Sequence, residues 1–390
     1  MADRQPDATG VVFVIRKLEI GGAEQQLLTL VKELIRLDVR CTVVPMYSGG
    51  EKWNEFAAVE GLTLISAEKG ARWDVVKFLR RFIGIVRAQE PAVVHGYMSG
   101  ANELASLAAA MTGATPVWGV RVSNLDPSRY VWTVGLVFKV GAFLSRTVEL
   151  VIANSRTGKD FHIASGYRPR SFAVVPNGIN GARFQRDEAA GRAWRQQQGI
   201  ADDARVLMLP ARLDPMKGHS VFIEAMKSHY DHPNLVVACM GDGDEALKRS
   251  LIEQEQKTFG RNVIRWLPAT RDVVSAYSAA DIVISASVFG EGFPNVIAES
   301  MCCRCYCIAT DVGDASLVLG PDGACVPPGD APKLSAEIGT ALSLTRDQLS
   351  ARGAQSRAYI TSNFSPERLA KTTLDLLDKA ASARGQKVSR

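Results

Sequence analysis

No apolar run in the 390 residues reaches the roughly 18 needed to cross a bilayer as a helix. A secretory leader is not recognisable at the start of the chain. The sequence has no zinc-finger spacing, no basic-aromatic repeat and no low-complexity tract, so a nucleic-acid partner is not expected. It also lacks G-x-G-x-x-G, which removes support for a dinucleotide site. Seven cysteines are too few and too unevenly placed for a disulfide framework, and a reducing cytosol is expected. What is present is globular: mean hydropathy is near zero, with 46% hydrophobic and 22% charged residues. That length accommodates two domains with full cores.

Charge is distributed unevenly. Residues 1–178 hold 21 Lys/Arg against 16 Asp/Glu, while the remainder is balanced at 25 against 25. A surplus confined to one half suits an anionic surface or substrate there.

Short apolar runs alternate with helical patterns. In the first half they are Val11–Ile15, Cys41–Val44, Leu62–Ile65, Ala92–His95, Pro116–Val120 and Leu150–Ala153. After Val174-Val175-Pro176-Asn177-Gly178 the chain turns polar and irregular to about Ala204, where a domain junction is expected. A second alternation follows at Val206–Leu209, Leu235–Ala238, Val263–Trp266, Asp281–Ser285 and Cys307–Ala309. Runs that are apolar throughout fit buried parallel strands, so the fold class is α/β, with two Rossmann-like doubly wound domains facing a cleft. The expected boundaries are 1–178, 179–362 and a terminal segment 363–390. The last helix, from Pro366 to Ala380, has no strand after it and is free to pack back on the first domain.

Glu291 and Glu299 bracket Gly292-Phe293-Pro294-Asn295-Val296-Ile297-Ala298. This stretch follows a strand and leads into a helix. Pro294 suits a first helical turn, and the amides of Asn295 and Val296 would open at the helix N-terminus, where a phosphate binds readily. Asn295 and Glu299 stand four apart and share a face. Two carboxylates flanking such a phosphate site can grip hydroxyls on either side of a diphosphate, the shape of a nucleotide-sugar site. Arg212 and Lys217 follow the first strand of the second domain, where open sheets place their ligand crevice. They could neutralise a diphosphate, or one could simply pair with Asp214. Asp242 and Asp244 form a D-x-D, but Gly241-Asp242-Gly243-Asp244-Glu245 reads better as a turn with a helix cap than as a metal site.

In the first domain, Gly21-Gly22-Ala23-Glu24 joins the first strand to the first helix and permits close ligand approach. His95 at a strand end and Arg121 after the next strand should open towards the cleft. Arg121 could hold an anionic acceptor or pair with Asp126. Lys69 to Arg87 carries Lys69, Arg72, Lys77, Arg80, Arg81 and Arg87 against Asp74, interleaved with Trp73, Val76, Phe78, Leu79, Phe82, Ile83 and Val86. That suits either a basic amphipathic helix on anionic lipid or a soluble helix with a solvated basic face. Tyr130 to Leu144 is apolar apart from Lys139, and core is expected. Cys302, Cys303, Cys305 and Cys307 lack metal-site spacing and read as packing residues.

Taken together, these pieces resemble the retaining GT-B glycosyltransferases of family 4 over nearly the whole chain. The resemblance rests on Gly21-Gly22-Ala23-Glu24, Val94-His95, Ala153-Asn154-Ser155, Pro176-Asn177-Gly178, Arg212 with Lys217, Gly241-Asp242-Gly243, Asp281, and Glu291 through Glu299 with Met301. Trp118-Gly119-Val120-Arg121, His162 and Gly166-Tyr167 resemble the branch that builds lipopolysaccharide, capsule or exopolysaccharide. The resemblance implies a nucleotide-sugar donor, usually UDP-linked, bound without metal or other cofactor. It implies Arg212, Lys217 and Glu291 as catalytic, with the two cations on the diphosphate and Glu291 facing the sugar. Glu299 would hold the ribose and the base would lie near Trp266-Leu267-Pro268. Gly22, Gly241, Leu267, Gly292, Phe293, Asn295 and Val296 complete the donor side; Gly21, His95 and Arg121 belong to the acceptor side. The implied acceptor is a polyprenyl-diphosphate-linked sugar at the cytoplasmic face of an anionic inner membrane. Many relatives carry His where this chain has Arg121, and Arg304 and Tyr306 replace their usual Gly and Pro. Arg121 therefore leaves open a non-catalytic sugar-nucleotide-binding subunit, and the fold alone leaves open a nucleotide-sugar epimerase.

Overall fold

The computed structural model describes residues 10–70, 74–121, 132–321 and 323–388, and the side chains of all these except 132–137. Arg72, Trp73, Asp126 and Tyr130 lie outside the described residues. The chain divides into two compact units, Met1–Gly178 with Pro366–Arg390, and Ile179–Ser365.

The first unit is built on seven parallel strands: β1 (Val11–Ile15), β2 (Cys41–Pro45), β3 (Leu62–Leu64), β4 (Val93–Tyr97), β5 (Thr115–Val120), β6 (Leu150–Ala153) and β7 (Ser171–Val174). Their spatial order is β3-β2-β1-β4-β5-β6-β7. Successive side chains of a strand point to opposite faces, so both faces of β1 need apolar cover. Val11, Phe13 and Ile15 enter one core with the helices Gly22–Arg36 and Pro366–Ser382. Val12 and Val14 enter the other with Phe78, Phe82, Ile83 and Val86.

The second unit has six parallel strands: β8 (Arg205–Pro210), β9 (Leu235–Met240), β10 (Ile264–Leu267), β11 (Ile282–Ser285), β12 (Tyr306–Thr310) and β13 (Ala324–Val326). Their order is β10-β9-β8-β11-β12-β13. In each unit the order reverses direction once, between β1 and β4 and between β8 and β11. Such a reversal leaves a crevice beyond the carboxyl ends of the two strands, and ligands bind there.

Several expectations need correction. The polar stretch before Ala204 is not irregular: it contains the helix Glu188–Gln197, capped by Asp187 accepting from the amides of Ala189 and Ala190. Its buried face is Gly191, Trp194 and Arg195, too sparse in apolar residues to show as periodicity. Arg195 donates to the carbonyls of Ala204 and Ala279, each at 2.8 Å, and to Asp281 at 3.1 Å. The helix Val75–Ala88 needs no correction: it buries Phe78, Phe82, Ile83 and Val86 and leaves Lys77, Arg80, Arg81 and Arg87 exposed, the solvated basic face that one of its two readings expected. In the helix Trp132–Leu144, Val140 and Phe143 are exposed, so that segment is not wholly core. Pro294 precedes the helix Asn295–Cys302 as its cap residue rather than entering its first turn. Among the described residues no helix is long and apolar enough to cross a membrane.

Candidate active site

β8 ends at Pro210, and the chain then runs through Arg212 to a short turn, Pro215–Lys217. Asp214 caps this turn by accepting from the Met216 amide at 3.0 Å, which orients Lys217. Gly218 follows with φ +67°, and a Cβ there would collide with the Ala286 carbonyl beyond β11. Only glycine allows the two switch-point loops to approach this closely.

On the other side of the reversal, β11 gives way to Ala286, Ser287 and the Glu291 turn. The Lys217 ammonium is ion-paired with Glu291 Oε1, and the Ser287 hydroxyl donates to the same oxygen at 2.7 Å. Thr310, at the end of β12, donates to the Ser287 carbonyl at 2.5 Å. Gly313 has φ +68° and packs against the carbonyls of Glu291 and Gly292, while the Asp314 amide donates to Gly292 O at 2.9 Å. The turn carrying Glu291 is thus fixed from beneath.

These elements enclose a cavity of about 150 Å³ lined by Pro210, Ala211, Lys217, Ser285–Ser287, Glu291 and Phe293–Val296. The first intrahelical bond of Asn295–Cys302 runs from the Ala298 amide to Pro294 O. The amides of Asn295, Val296 and Ile297 therefore precede the helical ladder, and the positive end of the helix faces the Lys217 side of the cavity. The arrangement can hold an anion between an ammonium and a helix N-terminus, with a carboxylate beside it.

Of the residues expected on the donor side, the cavity gathers Lys217, Glu291, Phe293, Asn295 and Val296. Gly292 lies in the same turn, and the Phe293 ring is buried against Phe364 at 5.4 Å, so its backbone faces the cavity. Arg212 is not among the lining residues. It is exposed and donates to Asp214 at 2.9 Å. Gly241 has φ +156° and packs on the Ala211 carbonyl, and its amide donates to Leu267 O at 3.0 Å. Both thus stand at the strand ends of β9 and β10, beside the cavity's edge strand rather than in it. Asp244 caps the helix Glu245–Phe259 and Asp242 accepts from the Ala269 amide at 3.1 Å, so both D-x-D carboxylates serve the backbone.

Glu299 sits one turn inside the helix, half-buried, with the Tyr277 hydroxyl donating to Oε2 at 3.5 Å. Burial raises its carboxyl to about 7, opposed by the nearby Arg183. Cys302, Cys303, Cys305 and Cys307 are buried free thiols whose acidity burial suppresses, consistent with packing.

In the first unit, Gly21 caps the helix Gly22–Arg36, so Gly22, Ala23 and Glu24 already belong to the helix rather than to the connection before it. His95 does not end its strand, because β4 continues to Tyr97. The ring is 1% exposed between Phe13 and Tyr97, and neither nitrogen finds a partner among the described residues. Burial, with help from Arg121, lowers its pKa to about 3, so the ring is neutral. Arg121 donates to Asn177 Oδ1 and to the Tyr97 hydroxyl, each at 2.7 Å, and stacks over the Tyr97 ring. It ties the ends of β4 and β5 to the segment after β7. Ser287, Thr310, Gly218 and Gly313 were missed by motif reading. Ser287 was within reach of the strand-end rule, since it lies two residues past β11; the rest appear only through contacts.

Residues 191–359 match the family described as Glycosyl transferases group 1, and residues 20–183 match Glycosyltransferase Family 4. The chain belongs to the GT-B glycosyltransferases of group 1, family 4. It is 32% identical over 148 residues to a putative teichuronic acid biosynthesis glycosyltransferase, TuaC, of Bacillus subtilis, a match that spans 38% of this chain and about a third, 35%, of that protein. It is 24% identical over 360 residues to a GDP-mannose-dependent alpha-(1-6)-phosphatidylinositol monomannoside mannosyltransferase of Mycolicibacterium smegmatis, covering 88% and 91% of the two chains. Its fold is shared with Anabaena HepE, solved in complex with UDP-glucose, at a TM-score of 0.80 and 20% identity over 95% of this chain and 99% of that one.

Proposed function

We propose that this glycosyltransferase moves a hexosyl group, with retention, from a UDP-sugar to a polyprenyl-diphosphate-linked saccharide in bacterial surface polysaccharide synthesis. The observation that carries the reading is the cavity at the β8/β11 reversal, where Lys217 and the N-terminus of Asn295–Cys302 converge beside Glu291. As the bond to the sugar breaks, negative charge grows on the departing diphosphate and positive charge on the sugar. A fixed ammonium and oriented amides stabilise the first without reorganising. Arg212, which is exposed on a loop beside Lys217, exchanges Asp214 for the diphosphate. Glu291 releases Lys217 to the donor and takes sugar hydroxyls. Glu299 holds the ribose, and the base lies against the end of β10 near Leu267. This positive charge meets the diphosphate without a resident metal.

Two names support the choice of substrates: HepE is solved with UDP-glucose, and TuaC is described as acting in teichuronic acid biosynthesis. The basic face of Val75–Ala88, with Val75 and Val76 exposed at its start, supports peripheral contact with the cytoplasmic face of an anionic inner membrane. The test is transfer by the purified chain from a panel of UDP-sugars and GDP-mannose to a polyprenyl-diphosphate-linked acceptor. UDP-dependent transfer supports the reading. Transfer from GDP-mannose alone removes the UDP assignment. Product formed without acceptor would indicate epimerisation, and binding without turnover a non-catalytic subunit.

A further inference from the structure

A second pocket, of about 550 Å³, lies in the first unit at the carboxyl ends of β1, β2 and β3. Arg16, Lys17, Tyr47, Ser48, Glu68 and Lys69 line it. The three loops are laced together by backbone bonds: Met46 N to Ile15 O at 2.8 Å, Tyr47 N to Arg16 O at 3.1 Å and Lys69 N to Met46 O at 2.8 Å. Ser48 and Ser66 hydroxyls meet at 2.8 Å, and Ser66 accepts from the Glu68 amide at 3.0 Å. Glu68 itself is held at φ +49°, a conformation that costs a non-glycine residue about 1 kcal/mol or more. The loops are therefore set in place before any ligand arrives.

The pocket's charge is not balanced. Glu68 is paired with Arg81 at 2.5 Å, and Lys17 is paired with Glu19. Lys69 donates to the Tyr47 hydroxyl at 3.1 Å and sits over that ring. Arg16 is exposed at the pocket's edge. The lining therefore holds three cations, Arg16, Lys17 and Lys69, against one carboxylate, Glu68. Two hydroxyls, from Tyr47 and Ser48, complete a lining suited to phosphoryl oxygens. The volume exceeds that of a bare phosphate and leaves room for an attached sugar.

We propose that this pocket binds the phosphoryl group of the acceptor, with Arg16 and Lys69 as its principal ligands. The inference rests on the acceptor side of the proposed function and names its anion site. It places the charge surplus of residues 1–178 at a defined position beside the Gly21-Gly22 loop, which also follows β1.

The test uses the full chain with UDP at saturation, so that a nucleotide site is filled, and titrates inorganic pyrophosphate by calorimetry. Wild type is expected to bind pyrophosphate under these conditions, and Arg16→Gln/Lys69→Gln to bind it about tenfold more weakly or worse. Melting temperature and UDP affinity, measured on the same variant, are expected to stay at wild-type values. Pyrophosphate binding that is absent in wild type, or equal in the two proteins, overturns the proposal. Failure of wild type to bind UDP instead sinks the donor reading and leaves the pyrophosphate comparison to stand without it. Neutral phosphatidylcholine vesicles with and without a polyprenyl diphosphate give a second arm. Co-sedimentation that needs the polyprenyl diphosphate and is lost in the variant assigns the phosphoryl group to a lipid carrier; pyrophosphate binding without co-sedimentation assigns it to a soluble sugar phosphate.

Discussion

Lys217 is held by Glu291 in the protein as it stands, so a donor diphosphate must compete with a carboxylate for the ammonium. This gives the two residues opposite signatures on the proposed reading. Glu291→Gln keeps a partner for the Ser287 hydroxyl but removes the competing charge. UDP binding should then tighten by about threefold, the scale of a partly exposed ion pair, while transfer slows about a hundredfold as the sugar loses its carboxylate. Calorimetry and initial rates on one preparation read both; weaker UDP binding together with unchanged transfer would contradict the assignment. Glu299 carries a second test. Its carboxyl is raised from 4.5 to about 7 by burial, so the folded protein favours the proton. That contribution to stability is complete below pH 4.5 and is lost as pH rises through 7. Urea unfolding should therefore show wild type losing stability relative to Glu299→Gln between about pH 4.5 and about 7; a constant difference would mean the carboxyl does not titrate there. Arg304 sits at φ +61°, where glycine is at ease. Arg304→Gly should raise stability by about 0.5–1 kcal/mol, measured by denaturant midpoint.

Among elements, legibility followed burial on both faces. The central strands β1, β8, β9 and β11 are covered on both sides and announce themselves as apolar runs, Val11–Ile15, Val206–Leu209, Leu235–Ala238 and Ile282–Ile284. The edge strands β7 and β13 do not: Ser171–Val174 is half-exposed and Ala324–Val326 has three residues. The helix Glu188–Gln197 was hidden because an arginine occupies a core-facing position, satisfied by carbonyls that no local pattern reveals. The turn from Glu291 to Asn295 was legible because a strand, a glycine, a proline and a helix stand in succession. What fixes that turn was not, since Thr310 and Gly313 come from the neighbouring strand's end. A glycine scan follows from this. Gly218→Ala should cost roughly 2–4 kcal/mol through combined positive φ and carbonyl collision, and should weaken UDP binding by displacing Lys217. Thermal unfolding and UDP titration of that variant would show a wild-type profile if the Ala286 contact were unimportant.

For the molecule as a whole, the sequence's polar break near Gly178 coincides with a unit boundary, but the chain returns: Pro366–Arg390 completes the first unit. Leu369, Ala370, Leu374, Leu377 and Ala381 lie in the same core as Val11, Phe13 and Leu27. Truncation after Ser365 should leave that core uncovered and the first unit unfolded or aggregated, whereas the second unit, continuous from Ile179 to Ser365, should retain its fold by circular dichroism. The central claim concerns that second unit. It is tested most directly by UDP calorimetry on wild type and Lys217→Ala. The account predicts that removing the ammonium weakens UDP about tenfold or more, the loss of one charge-assisted contact. Equal affinities in the two proteins would show that the diphosphate does not lie at the β8/β11 reversal.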